Sequence, residues 1–181
     1  SYYMRFVLKR GSGNLPTVGL LNIGAESHKG DDVHRKAYEL LKAAGDAGRL
    51  NFVGNIEARE IPYDAADVVV CDGFTGNMLL KMYEGVALAL MDKFKGVFTK
   101  NMKNKLAAAV VYKDMKALKK QLDYNEYGGA PILGCSKPVF KVHGSAKATT
   151  LKSAIALCAK YAESNIIGEI AAAVAAQKPE E

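Results

Sequence analysis

The chain has 181 residues, 49% of them apolar and 24% charged, a length that suits one domain, or a domain of roughly 100–150 residues with an appendage. That composition excludes disordered and collagen-like chains. The net charge of +6 is confined to one segment: Asp92–Lys120 holds nine lysines against two aspartates, +7, which leaves −1 for all other residues.

Tyr2, Tyr3, Phe6 and Val7 fall at helical spacing, so residues 1–10 read as the end of a helix, and the chain as the back part of a longer protein. The longest uncharged stretch, Gly11–Ala25, has fifteen residues with a proline and two asparagines. A spanning helix needs about 20 mostly apolar residues, so none is expected. Thr17–Asn22 (TVGLLN) predicts a buried strand. Asp31 or Asp32 then caps a helix to about Ala44, with Val33, Ala37, Leu40 and Leu41 on one face and Gly45 and Gly48 closing it. Leu50–Val53 predicts a second strand, and Gly54–Asp64 a connecting turn. Asp67–Cys71 (DVVVC) predicts a third strand, continuously apolar as strands buried on both faces are. Asn77 opens a helix to about residue 100, and a basic helical region follows to Leu122. Pro131–Gly134 and Val139–Val142 are short strand candidates, and helices fill Lys147–Ala176. Strands alternating with helices predict an α/β fold with a largely parallel sheet.

Met91, Phe94, Phe98 and Met102 recur every three to four residues within the lysine-rich segment, and Leu106–Tyr112 is almost free of polar residues. Lysines beside an apolar stripe compose an interfacial membrane helix, or else a surface helix with its apolar face in the core. Lysine without arginine is poor base-reading chemistry, so nucleic acid is not an expected partner. Three widely spaced cysteines, Cys71, Cys135 and Cys158, with no CxxC pair argue against a disulfide scaffold and a structural zinc, and fit a reducing cytoplasm.

Ligands of open α/β sheets bind off the carboxyl ends of the strands. Three such loops here carry small and polar residues. The first is Asn22-Ile23-Gly24-Ala25-Glu26. The second, Asp72-Gly73-Phe74-Thr75-Gly76-Asn77, opens into a helix whose first N–H groups suit an anion, with Thr75 and Asn77 as further donors. It has neither a P-loop nor a dinucleotide signature, and its glycines also suit a plain strand–helix connection. The third, His143-Gly144-Ser145, adds a titratable group able to act as general acid or base, or as an ordinary structural histidine. His28 and His34 lie at a polar helix start and are expected in solvent; Cys71 reads as a buried small hydrophobe, not a nucleophile. No catalytic triad stands out.

Five strings go further. VGLLNIG at Val18–Gly24, NFVGNIEAREI at Asn51–Ile61, ADVVVCDGFTGNMLLKMYEG at Ala66–Gly85, DYNEYGGAPILG at Asp123–Gly134 and KVHGSA at Lys141–Ala146 resemble the PlsX family of bacterial phosphate acyltransferases, in family order and spacing. The resemblance implies a three-layer α/β/α sandwich like those of isopropylmalate dehydrogenase and phosphotransacetylase, and a homodimer. It implies transfer of a fatty acyl group from acyl carrier protein to inorganic phosphate, giving acyl phosphate for phospholipid synthesis. It implies peripheral attachment to an anionic membrane surface through the basic helical insertion 91–122, with Phe94, Phe98, Met102, Lys103 and Lys105 in contact. No cofactor and no metal are expected.

Phosphate attacking a thioester needs a rigidly held anion and a stabilised oxyanion, with no covalent protein nucleophile. The expectation places phosphate at Gly73, Thr75, Gly76 and Asn77, with Gly144 and Ser145 N–H groups opposite. His143 or Asp72 would orient phosphate or protonate the leaving thiolate, and Asn22, with Gly24 beside it, would meet the acyl carbonyl or the pantetheine arm. Lys81 and Glu84 match the family pattern, or form a charged pair packed behind the site. The family's front part, with its DAMGGD-type strand end, is not in this chain, and Ala146 stands where family members often have a second serine. The rival readings are a phosphate acyltransferase using acyl-CoA and a non-catalytic membrane- or partner-binding module. A nicotinamide-dependent dehydrogenase is disfavoured because no nucleotide fingerprint appears.

Overall fold

The structure, a computed structural model, describes residues 3–4, 15–121, 128–144 and 146–176. The chain divides into two compact units, residues 1–76 with 160–181, and residues 77–159.

The first unit is built on a parallel three-stranded sheet in the order β2-β1-β3, with β1 at Thr17–Asn22, β2 at Asn51–Glu57 and β3 at Val68–Val70. Val18, Leu20, Leu21 and Ile56 are its buried core, with Tyr161 and Ile166. Each such apolar side chain contributes about 1.5–3 kcal/mol by leaving water. Strand β2 runs four residues beyond its expected end at Val53. Gly54, at φ +96, sits where the register slips between the Val18–Phe52 and Gly19–Gly54 pairs, so the glycine marks a bulge and not a stop. Strand β3 is an edge strand and half-buried, not covered on both faces as its apolar run suggests. Its start is clipped to β1: the Thr17 N–H and hydroxyl both donate to Asp67 Oδ2, at 2.9 and 2.8 Å, and the Asp67 N–H donates to Thr17 Oγ1 at 2.8 Å.

Helix α1, Asp32–Asp46, is capped by Asp31, whose carboxylate accepts from the His34 N–H at 3.0 Å. It meets the sheet through Tyr38, edge-on to Phe52 at 5.3 Å between ring centroids. Its inner face is turned from the expected one, since Val33 is 72% and Leu40 55% exposed. Residues Ala58–Tyr63 form a 3₁₀ helix where a plain turn was expected, started by a capping box between Glu57 and Glu60.

Helix α2, Gly73–Thr99, starts four residues earlier than expected and leaves the first unit at Gly76. In the second unit it gives way to α3, Met102–Gln121, through a break at Lys100–Asn101. Strands β4, Ala130–Pro131, and β5, Phe140–Lys141, are shorter than expected and pair antiparallel. Gly128, at φ +78, lies so close to α4, Ala148–Glu163, that a Cβ there would stand 2.5 Å from the Ala154 nitrogen. Helix α5, Ile166–Ala175, follows a break at Asn165, whose φ of 53 no helix continues. The chain is thus α/β, with a parallel sheet flanked by helices in the manner of a three-layer α/β/α arrangement. The expected helix at residues 1–10 and the string from Asp123 to Tyr127 lie outside the described residues, apart from Tyr3 and Met4.

Candidate functional site

Asn22 ends β1, only 8% exposed. Its amide is used within its own loop: Nδ2 donates to the Lys29 carbonyl at 3.0 Å, and Oδ1 accepts from the Ile23 N–H at 2.8 Å. Gly24 is buried in the same loop, where a Cβ would meet Glu26 Oε2 at 2.8 Å. Asn22 therefore shapes this loop with one amide hydrogen and one carbonyl lone pair of its side chain. His28 is exposed as expected, whereas His34 is half-buried with Nδ1 2.7 Å from Asp31 Oδ1.

After β3, Gly73, Phe74, Thr75 and Gly76 form the first turn of α2 itself, not a loop ahead of it. Asp72 caps that turn: its Oδ1 accepts from the Phe74 N–H at 2.9 Å and the Thr75 N–H at 2.8 Å. Two of the N–H groups expected to face an anion are thus already paired, and with a carboxylate. Hydrogen bonds from the Thr75 side chain and then its backbone hold the Asp72 carboxyl below the usual carboxylate range, which makes it an acceptor and a poor proton donor. Cys71 is exposed, contrary to its reading as a buried residue. Partial burial, and then the Asp72 charge, push its thiol up, which withholds the thiolate a nucleophile needs. Gly73 and Thr75 are exposed, as is Asn77, the first residue of the second unit.

In the second unit, His143 follows β5 and is exposed, as is Gly144; Ser145 lies outside the described residues. His143 Nε2 is 2.9 Å from Nζ of Lys81, which is itself 2.9 Å from Glu84 Oε2. Spacing along α2 pairs Lys81 with Glu84. Nothing in the sequence pairs Lys81 with a histidine 62 residues away.

The basic segment spans two helices. Phe94 and Phe98 lie on α2, and Met102, Lys103 and Lys105 open α3, so the apolar stripe is broken by the turn. Asn101 caps α3 by accepting from the Asn104 N–H at 2.9 Å, and Asn104 Nδ2 reaches back to the Val97 carbonyl at 2.7 Å. Phe94, Phe98 and Met91 line a groove of about 500 Å³ with Tyr112, Met115 and Lys116. Among the described residues no helix is long and apolar enough to cross a membrane, and no three His, Cys, Asp or Glu cluster as a metal site.

Comparison with known proteins gives a family. The model of the family described as "Fatty acid synthesis protein" matches residues 1–169. The chain is 49% identical over 170 residues to a protein of Acetivibrio thermocellus named phosphate acyltransferase, covering 94% of this chain and 48% of that protein. It is 48% identical over 159 residues to one of the same name from Oceanobacillus iheyensis, covering 88% and 47%. A third, from Thermoanaerobacter pseudethanolicus, is 45% identical over 155 residues, covering 86% and 46%. The chain spans about half the length of these curated relatives. A match across nearly all of the chain establishes that it belongs to the fatty acid synthesis protein family, the PlsX family.

Proposed function

We propose that this chain is part of an enzyme that transfers a fatty acyl group to inorganic phosphate, with acyl carrier protein as the acyl donor and acyl phosphate as a product destined for phospholipid synthesis. One observation carries the reading: the relatives named phosphate acyltransferase match it at 43–49% identity along most of its length. In the reaction a phosphate oxygen attacks the thioester carbonyl, and the tetrahedral intermediate collapses with loss of the thiolate, which takes up a proton. The protein's work is to hold phosphate and to neutralise the oxyanion.

Thr75 and Asn77 at the start of α2 are assigned to phosphate, with Gly73 and Gly76 allowing close backbone approach. The positive end of the α2 dipole supports an anion there, although Asp72 occupies part of it. Asp72 serves as the cap that holds this turn. Gly144 and Ser145 supply backbone donors, and His143 donates to the reacting atoms. Asn22 and Gly24 fix the loop after β1. The same reading has the protein work as a homodimer in the cytoplasm, with the 91–122 segment against an anionic membrane surface.

Turnover by the intact protein, with acyl carrier protein or coenzyme A as the thioester carrier, tests the donor. Faster acyl phosphate formation from the carrier protein is expected, and exclusive use of the coenzyme A thioester would replace this donor with the other. A thermal melt of the chain with millimolar phosphate tests the anion site. Phosphate at 100 times its dissociation constant adds about 2.7 kcal/mol of stability, a shift of several degrees. An unchanged midpoint for both this chain and the intact protein would remove phosphate from these residues.

A further inference from the structure

The turn that follows Gly24 is held from both ends. The Lys29 N–H donates to the Glu26 carbonyl at 3.1 Å, closing a turn with Ser27 and His28 exposed at its tip. Asn22 Nδ2 grips the Lys29 carbonyl, and Asn55 Nδ2 grips the Glu26 carbonyl at 2.8 Å. The strand register sets Asn55 beside Leu20, so both asparagines stand on one face of the sheet near its carboxyl edge. Asn55 is 6% exposed, and its Oδ1 accepts no hydrogen bond among the described residues. A buried amide with an unserved oxygen is a costly way to fill space, so its use is the carbonyl it holds.

Lys29 is thereby fixed at both of its backbone polar groups. Its side chain folds back over Gly24, where a Cβ would stand 3.1 Å from Lys29 Cγ and 3.3 Å from Cε. Glu26 Oε2 reaches the same glycine, yet the Lys29 ammonium forms no ion pair or hydrogen bond among the described residues. Lys36 and Lys42 of α1, by contrast, each meet a carboxylate. Asn22 and Asp72 both lie two residues beyond the Leu20–Val70 pair, so their loops leave the same edge of the sheet. There Asp72 has already taken the Phe74 and Thr75 N–H groups, and an anion needs positive charge from elsewhere.

We propose that Lys29 is the cation that binds the phosphate substrate at this edge, and that Asn22 and Asn55 are positioning residues that hold the turn beneath it. The inference rests on the reading of the protein as one that uses inorganic phosphate. A lysine meets phosphate as a point charge with three donors, and one whose backbone is fixed in advance loses less freedom on binding.

Steady-state kinetics of the intact protein separate the two substrates. Lys29→Met should raise KM for phosphate by about 10- to 100-fold, the range of one hydrogen bond to a charged group, and leave KM for the acyl donor unchanged. Lys29→Arg, which keeps the charge, should recover most of the loss, and Lys29→Gln serves if the methionine variant does not fold. Asn55→Ala should raise the same KM in the parent and change it no further in Lys29→Met, because the asparagine acts through the lysine. An unchanged KM for phosphate overturns the proposal. A rise confined to the acyl donor also overturns it, and moves Lys29 to the phosphodiester of the pantetheine arm. Additive effects in the double variant overturn the positioning role of Asn55. An intact parent that forms no acyl phosphate overturns the reading beneath the proposal, and that failure shows before any variant is made.

Discussion

A carboxylate that accepts the Phe74 and Thr75 amides stabilises the helix start only while it is ionised. Because hydrogen bonds from the Thr75 side chain, and then from the Thr75 and Phe74 amides, lower the Asp72 pKa in the folded chain, its contribution is complete above the unfolded carboxylate range and is lost as pH falls through the lower folded value. Asp72→Asn should thus be less stable than the parent at pH 7, with the gap closing on acidification through the carboxylate range. Urea midpoints measured along that series give the answer, and a gap that does not change with pH would show that ionisation of Asp72 is not what holds the turn. Asp31 was legible as a cap because it stands directly before an amphipathic run. Asp72 was not, because two glycines behind it read as loop, although helix propensity is a weak prior that a well-placed cap and tertiary context override. Lys81 beside His143 was illegible for a different reason: spacing reports neighbours on one element, and this contact joins two.

Elements were legible wherever one period dominated. Strand β1 matches its predicted bounds because TVGLLN is an apolar run between polar residues, and β2 was cut short because a glycine signals both a bulge and an end. The face of α1 was misjudged because Tyr38, an aromatic with a polar tip, packs on Phe52 while the aliphatic Val33 and Leu40 face solvent. At the start of α2, Gly76 is a helical glycine whose absent Cβ would lie 2.7 Å from Cys71 Sγ. Two effects oppose each other there. Alanine gains about 1 kcal/mol over glycine in a helix interior, while forcing the extra carbon against sulfur costs about 1–3 kcal/mol. Gly76→Ala alone should therefore be neutral to destabilising, and the same change in a Cys71→Ala background should stabilise by up to about 1 kcal/mol. Denaturant unfolding of the four chains of this cycle measures the coupling, and simple additivity would mean that the sulfur does not constrain the turn.

At the scale of the molecule, no residue of the 27-residue helix α2 is buried, and Met82, Leu88, Val97, Met102, Leu106 and Val110 along α2 and α3 are each more than half exposed. Apolar area of that extent marks an interaction surface, and the lysines that accompany it bias the choice of partner toward negative charge. On the proposed membrane reading an anionic bilayer would satisfy both halves, with apolar side chains entering the headgroup boundary and lysines remaining at the phosphates. Lys103 and Lys105 stand at the exposed start of α3, immediately after the turn that Asn101 and Asn104 hold. Each lysine near such a surface contributes about 1 kcal/mol, so Lys103→Glu with Lys105→Glu should weaken binding to phosphatidylserine-containing vesicles by about 25-fold or more. Added salt should weaken the parent chain more steeply than the doubly reversed chain, whose segment keeps a smaller positive charge, because the Debye length falls to about 3 Å at 1 M. Vesicle flotation with Phe94→Ser alongside separates the charge from the apolar contribution, which salt does not screen. Equal flotation of the parent and the charge-reversed chain would mean that these lysines are a solvated face, and that the apolar surface of α2 and α3 is covered by protein instead of lipid.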